Sequence, residues 1–146
     1  MTTLGVFRDD FYNISAALPM LKFSTTSQAS GTVAASQLAG ASEVYLSQSG
    51  ATALTTDTAA NIIAQVLSAI QTNAQGSQPT VSQLQGFTYT LYIRNTNAGT
   101  LTLSAGTGVT ITGTATLATT VERQFMVTVT SPTTITLQDL GGATVS

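Results

Sequence analysis

The sequence predicts a mainly β fold: an antiparallel β-sandwich or jelly roll with one α-helix and an extended N-terminal arm. The chain carries 29 Thr residues, a residue type that favours strands. From Val81 onward, apolar and polar residues alternate with period two between closely spaced turn residues, which is typical of short strands. Only one segment has helical spacing. We therefore divide the chain into an arm, residues 1–42, and a sandwich domain, residues 43–146, which includes a helix at residues 57–72.

The composition argues against an enzyme. The chain has no His and no Cys, and only four basic and six acidic residues among 146. Few of its groups can shuttle protons, ligate a metal or attack an electrophile, so we expect no catalytic, metal-binding or cofactor-binding residues. The length suits one domain with a core of ordinary size. So few charges contribute little to solubility. Either Thr, Ser, Asn and Gln solvate the surface, or the protein stays bound to an assembly that covers much of it.

The predicted arm begins with an apolar segment and continues into a polar one. Three of the five Phe residues lie within the first 23 residues, and Pro19 interrupts any helix there. A stretch rich in Ser, Thr, Gln, Ala and Gly follows at residues 24–42. Such an arm docks on another subunit or packs on its own domain as a lid, and we expect docking. The expected contact residues are Phe7, Arg8, Phe11, Tyr12, Leu18, Leu21 and Phe23.

The predicted helix follows a short strand at residues 43–47. Thr55 or Thr56 can cap the N-terminus of this helix, and Asp57 then lies near the positive end of the helix dipole. Apolar residues recur at spacings of three and four, which predicts one buried face. They are Ala59, Ile62, Ile63, Val66, Leu67 and Ile70. The composition of residues 75–79 indicates a linker.

The remaining strands follow from the period-two alternation. We expect them near residues 87–94, 101–104, 109–112, 114–117, 121–130 and 135–137. Asn95–Gly99 has the length of a hairpin turn, and Ser131-Pro132 also turns the chain. Arg123 breaks the pattern, because it shares a face with Phe125 and Val127. It is either a charge held at an interface or an inward charge that protects an edge strand from aggregation, and we favour the second interpretation.

The charge pattern speaks against nucleic acid and membrane partners. The basic residues are too few and too scattered to neutralise a run of phosphates. They are Arg8, Lys22, Arg94 and Arg123. No apolar run approaches the roughly 18 residues that a membrane-spanning helix requires.

Candidate functional side chains are correspondingly few. Two carboxylate pairs can be drawn for a hydrolase, Glu43 with Asp57 and Glu122 with Asp139, but no spacing indicates that either pair meets. The aromatic residues offer one candidate for a platform on which a sugar stacks. This is Tyr92, which alternates away from the inward-facing Phe87 and Tyr89.

The stretch from Ile93 to Gly113 resembles a hairpin unit that recurs in virion proteins of tailed bacteriophages. It reads Ile-Arg-Asn-Thr-Asn-Ala-Gly-Thr-Leu-Thr-Leu-Ser-Ala-Gly-Thr-Gly-Val-Thr-Ile-Thr-Gly. In that unit a strand ends in Asn-Thr, turns through Gly, continues as Thr-Leu-Thr-Leu and passes Gly-x-Gly-Val-Thr. The helix ahead of the sheet and the strand at residues 121–130 are similar too, so the resemblance spans residues 57–140. The shared residues form turns and core, so they imply no residue-level function.

The resemblance and the short chain imply a capsid cement, or decoration, protein. Such a protein lies on the outer capsid surface of the virion, binds the major capsid protein and bridges its neighbouring subunits. We expect it to form a homodimer or homotrimer. The alternative is a receptor- or glycan-binding module of a phage fibre or bacterial surface protein. A third interpretation is an unrelated secreted adhesin domain.

Overall fold

The computed structural model describes residues 23–27, 31–40, 43–47, 52–73, 78–96 and 98–145. Ten strands dominate this part of the chain, which confirms the mainly β prediction. They are β1 (Phe23–Ser27), β2 (Gly31–Val33), β3 (Glu43–Ser47), β4 (Thr52–Thr56), β5 (Thr88–Asn95), β6 (Leu101–Ser104), β7 (Val109–Thr112), β8 (Thr116–Leu117), β9 (Val121–Ser131) and β10 (Thr134–Thr144). The helices are α1 (Ala35–Leu38), α2 (Ala59–Asn73) and a 3₁₀ helix, Val81–Leu84.

The strands form two mixed sheets. The larger has six strands in the order β1-β3-β5-β9-β10-β7, and the smaller has four in the order β2-β4-β6-β8. In the larger sheet β1, β3 and β5 run parallel, β9 runs antiparallel to both β5 and β10, and β7 runs parallel to β10. The purely antiparallel arrangement and the jelly roll expected from the sequence are therefore not confirmed. Alternation reports which face of a strand is buried and is silent on strand direction.

The N-terminal half of the described chain winds back and forth between the sheets. The strands β1, β3 and β5 lie in the larger sheet, and each is followed by a strand of the smaller sheet, β2, β4 and β6 in turn. Both sets are parallel, so three successive strand pairs stack as coils. The helices α1 and α2 lie in the connections that return to the larger sheet. The hairpin predicted at Asn95–Gly99 is therefore wrong, because β5 and β6 belong to different sheets.

One apolar core joins the sheets and the helices. Alternate residues of β5, β9 and β10 point into it, among them Leu91, Phe125 and Leu137. The smaller sheet contributes Leu54 and Leu101, which are fully buried. Burial of these side chains, at about 1.5–3 kcal/mol each, supplies the main stabilisation of the fold.

Helix α2 packs its predicted apolar face into this core. Ile62, Ile63, Val66 and Ile70 are all buried, as the spacing predicts. The N-terminus differs from the expectation by a few residues. Both predicted cap residues, Thr55 and Thr56, belong to strand β4. Thr58 caps the helix instead, because its side-chain hydroxyl accepts a hydrogen bond from the Asn61 amide at 3.2 Å.

The described part of the predicted arm is built into both sheets. Residues 23–27 form β1, and residues 31–40 form β2 and α1, with Val33 and Leu38 buried in the core. This departs from the expected extended arm. The sequence pattern did not predict these strands, because the segment consists mostly of small and hydroxyl-bearing residues and has few large apolar residues to mark a buried face.

Candidate functional site

Ionisable side chains are rare in the described residues, so each can be followed to its partners. Asp57 lies between β4 and α2 and is fully engaged. Its carboxylate accepts hydrogen bonds from the Thr58 amide at 2.7 Å, the Asn61 side chain at 2.8 Å and the Ala35 amide at 3.0 Å. The hydrogen bond from Asn61 is the main cause that lowers the pKa of Asp57, although burial opposes it. Asp57 therefore joins the start of α2 to α1 and has a structural role.

Arg123 forms an ion pair within its own chain. Its guanidinium lies 2.8 Å from the Asp139 carboxylate, and its Nε donates to the Thr116 carbonyl at 2.9 Å. Asp139 also accepts from the amides of Thr114 and Gly141. These contacts tie β9, β10 and the start of β8 together. Both interpretations made from the sequence are corrected, because the partner is internal and β9 is a central strand with neighbours on both sides.

The hydrogen bonds of Asp139 control its ionisation. Burial alone would raise the pKa of Asp139, but the hydrogen bonds from Gly141, Thr114 and Arg123 outweigh it, so the pKa lies below the ordinary value. The carboxylate stays ionised at neutral pH and holds the Arg123 guanidinium. Because both side chains are largely enclosed, at 19% and 10% exposed, this pair is part of the structure and offers little to a ligand.

The three other charged residues in the described part of the chain lie beside aromatic ones on the outer face of the larger sheet. We call this cluster the outer patch. Three adjacent strands build it, because β5 pairs with β3 on one side and with β9 on the other. It consists of Glu43 and Tyr45 on β3, Tyr92 and Arg94 on β5, and Glu122 and Gln124 on β9.

The register sets the geometry of the outer patch. Arg94 lies opposite Tyr45 on one side and Glu122 on the other, whereas Tyr92 lies between Glu43 and Gln124. The Arg94 guanidinium stacks over the Tyr45 ring at 5.6 Å from its centroid, a cation–π contact. This contact covers one face of the Tyr45 ring.

The two glutamates of the outer patch interact across β5. Burial raises the pKa of Glu122, and the hydrogen bond to the Glu43 carboxyl raises it further, whereas the Arg94 charge partly offsets both. The raised pKa of Glu122 thus reflects both its burial and the approach of the Glu43 side chain from the other side of β5. The Tyr45 pKa is also raised, chiefly by the hydrogen bond with Glu43. The outer patch therefore combines one guanidinium with two carboxyl groups.

A groove of about 300 Å³ opens beside Tyr92, Glu122 and Gln124. Residues 140–143 of β10 form its wall. The ladder between β10 and β9 is irregular between Asp139 and Gly141, and Leu140 is left out of it, with 49% of its surface exposed.

Two glycines allow this wall to take its shape. Gly141 has φ +120°, a conformation that side-chain-bearing residues rarely adopt. A Cβ at Gly142 would lie 2.9 Å from both the Arg123 Cγ and the Glu122 carbonyl oxygen. The wall therefore depends on Gly at both positions.

The structure describes only some of the predicted site residues. Six of the expected arm contacts lie outside the described residues: Phe7, Arg8, Phe11, Tyr12, Leu18 and Leu21. Phe23 begins β1, where its backbone pairs with Glu43. Tyr92 lies on the outer face, half-buried, as the alternation predicts. Tyr89 points the other way and donates its hydroxyl proton to the Leu38 carbonyl at 2.8 Å.

Sequence reasoning did not find the meeting of Glu43 with Glu122. The pairs that were considered joined other residues, and Glu122 and Asp139 lie on opposite faces of the larger sheet. The contact depends on β3 and β9 flanking β5, and the two strands are far apart along the chain. The outward alternation of Tyr92 and Arg94 was the one local signal for this place.

Comparisons of the chain with protein-family models, with curated proteins and with solved structures give no significant match. No helix in the described part of the chain is long and apolar enough to cross a membrane. The same residues contain no cluster of three or more His, Cys, Asp or Glu side chains that could hold a metal ion.

Proposed function

We propose that the protein is a structural virion component that decorates and cements a bacteriophage capsid by bridging neighbouring major capsid protein subunits. It lies on the outer capsid surface and assembles as a homodimer or homotrimer. The observation that carries the proposal is where the apolar first part of the predicted arm joins the described fold. Residues 1–22 lead directly into β1, the first strand of the larger sheet.

The entry point favours contacts between subunits. Among the described strands, β1 pairs only with β3, and β2 pairs only with β4, so both sheets end at the first coil. A strand at the edge of a sheet can pair with a strand from another chain through its backbone. Residues 1–22 immediately precede this edge strand in the chain, so we propose that they contact a neighbouring subunit there.

The surface chemistry supports a partner bound through neutral contacts. On the outer face of the larger sheet, one row of paired residues consists of Thr alone across four strands. The row is Thr88, Thr128, Thr136 and Thr110. Hydroxyl groups donate and accept hydrogen bonds without the desolvation cost of a charge. The resemblance of residues 57–140 to tailed-phage virion proteins points in the same direction.

Copy number in purified virions tests the proposal. Quantitative mass spectrometry of particles from the phage that encodes the chain should find it in a fixed ratio to the major capsid protein, of the order of one copy per few capsid subunits. A protein of a fibre is expected in a small number of copies per particle. Absence from particles, or a count that matches the fibre proteins, would contradict the cement function.

A further inference from the structure

The outer patch is unusual for this chain. The described residues include six charged side chains, and three of them, Glu43, Arg94 and Glu122, lie in this one place. The other three are Asp57, Arg123 and Asp139, which the structure engages in local contacts. The Thr row on the same sheet shows that an outer face can be solvated without charges. Half of the described charged side chains are thus concentrated in the outer patch, although solvation of this sheet does not require them.

The surroundings of Tyr92 suit the flat face of a sugar ring. Arg94 stacks on Tyr45, so Tyr92 is the aromatic residue of the outer patch that lines the groove. An aromatic ring offers a flat apolar surface, and the C–H groups on one face of a pyranose can pack against it. Leu140, at the rim of the same groove, adds an exposed apolar contact.

Polar groups surround this apolar surface. Glu122 and Gln124 line the groove together with Tyr92. A carboxyl group accepts hydrogen bonds and a carboxamide both donates and accepts, which matches the paired donor and acceptor capacity of sugar hydroxyls. Most ligand sites combine an apolar lining with a few placed polar groups, and a volume of about 300 Å³ lies at the small end of their range. The groove therefore fits one or two sugar units.

The charge of the outer patch selects among saccharides. It holds two carboxyl groups and one guanidinium, and the guanidinium is already stacked on Tyr45. An anionic sugar would meet Glu122 in the groove and be repelled. A neutral pyranose meets no such cost.

We propose that the outer patch is a binding site for a neutral pyranose, with the sugar ring stacked on Tyr92 and its hydroxyls bonded to Glu122 and Gln124. Residues 140–143 form the wall of the groove, and the glycine at 142 lets this wall lie close to β9. This site would let the protein contact a glycan, such as one on a cell surface, independently of its place in a virion. The inference does not rest on the proposed capsid function.

Titration of the full chain followed by ¹H–¹⁵N NMR tests this site. The probes are the methyl glycosides of glucose, galactose, mannose and N-acetylglucosamine, each added to about 50 mM because single-sugar sites bind weakly. At least one should shift the amide signals of Tyr92, Gln124 and residues 140–143. Tyr92→Thr, which keeps a strand-forming residue, should weaken that binding by at least about tenfold. Tyr92→Phe should keep it within about threefold.

Thr88→Ala is the matched control, because Thr88 is exposed on the same strand and the same face, beyond the outer patch. It should leave the shifts unchanged. The NMR spectrum of each variant also reports whether it is folded. The proposal is overturned if none of the four glycosides shifts these signals, or if the shifts persist in Tyr92→Thr. Binding of N-acetylneuraminic acid alone would equally overturn it, because the ligand would then be anionic.

Discussion

At the scale of single residues, the buried side chain of Asn95 links the two sheets. Asn95 is fully buried at the end of β5. Its amide nitrogen lies 2.8 Å from the Gly99 carbonyl, 3.0 Å from that of Leu117 and 3.1 Å from that of Ala118. It therefore joins the turn after β5 to the end of β8 in the other sheet. This explains why an Asn ends the strand in a motif that had suggested only a turn.

Replacement of this residue should be costly. Asn95→Ala removes three hydrogen bonds donated from a fully buried side chain, although the Val121 amide still donates to the Ala118 carbonyl. We therefore expect the free energy of unfolding to fall by about 2–4 kcal/mol. Thr100→Ala, at an exposed position just before β6, should cost less than about 0.5 kcal/mol. Urea unfolding followed by circular dichroism measures both. Equal effects in the two variants would show that Asn95 is not a link between the sheets.

Asp139 should contribute stability that depends on pH. Because its pKa is depressed in the folded state, its contribution is present above the ordinary value of 3.8 and is lost as pH falls through the folded pKa. Asp139→Asn should therefore lower the free energy of unfolding at neutral pH by about 1–3 kcal/mol and flatten the loss of stability in acid. Unfolding curves at pH values from about 2 to 7 test this.

Glu122→Gln gives the opposite sign and serves as the comparison. The pKa of Glu122 is raised, so its contribution is present below the ordinary value of 4.5 and is lost as pH rises through the folded pKa. The Gln variant should remove this decline and gain stability relative to the native chain as pH rises. Parallel pH profiles for Asp139→Asn and Glu122→Gln would contradict the assignment of the two carboxyl groups.

At the scale of elements, the strongest local sequence patterns predicted which helix and strands form, but not which strands pair with each other. The buried face of α2 and the strands after residue 87 follow from periodicity, which depends only on neighbouring residues. The strands β1 and β2 escaped detection because small residues leave no clear apolar face. The connection between β5 and β6 was predicted to be a hairpin. A turn of five residues has the same sequence pattern whether the chain returns to its own sheet or enters another.

The same reasoning explains what could be predicted of the candidate site. Alternation along β5 placed Tyr92 on the outer face. The pairing of Tyr45 with Arg94 and the approach of Glu43 to Glu122 depend on the order of β3, β5 and β9, which is set by contacts between distant segments. Arg123 was similarly assigned to an edge strand, because its partner Asp139 lies on the next strand and its neighbours were unknown.

Helix α2 should stabilise the fold through its buried face. Ile63 is 1% exposed in the core. Ile63→Ala should lower the free energy of unfolding by about 2–5 kcal/mol, through lost burial and the cavity left behind. Gln65→Ala, at an exposed position on the same helix, should change it by less than about 0.5 kcal/mol. If Ile63→Ala lowers the free energy of unfolding by less than about 1 kcal/mol, burial of this helix face in the core contributes little to stability.

At the scale of the whole molecule, three stacked parallel coils, the first of them within the predicted arm, lead into the strands β7 to β10. Each coil contacts its neighbours, and a stack of this kind needs its end strands covered or occupied. The first coil, β1 with β2, lies next in the chain to the apolar residues that the sequence marks for docking. Because charged residues are scarce, we expect a partner to be held chiefly by apolar burial and neutral hydrogen bonds.

The central claim is that residues 1–22 anchor the protein to a capsid through such contacts. Its most direct test is co-sedimentation of the full chain and of a variant lacking residues 1–22, which retains all of β1, with capsids stripped of the protein. Far-ultraviolet circular dichroism establishes that the variant is folded. We expect the full chain to bind with little change from about 0.05 to about 1 M NaCl, because salt screens charges but not apolar contacts. The shortened chain should not bind. Normal occupancy by the shortened chain, or a fall of about a hundredfold in binding of the full chain at high salt, would contradict this account.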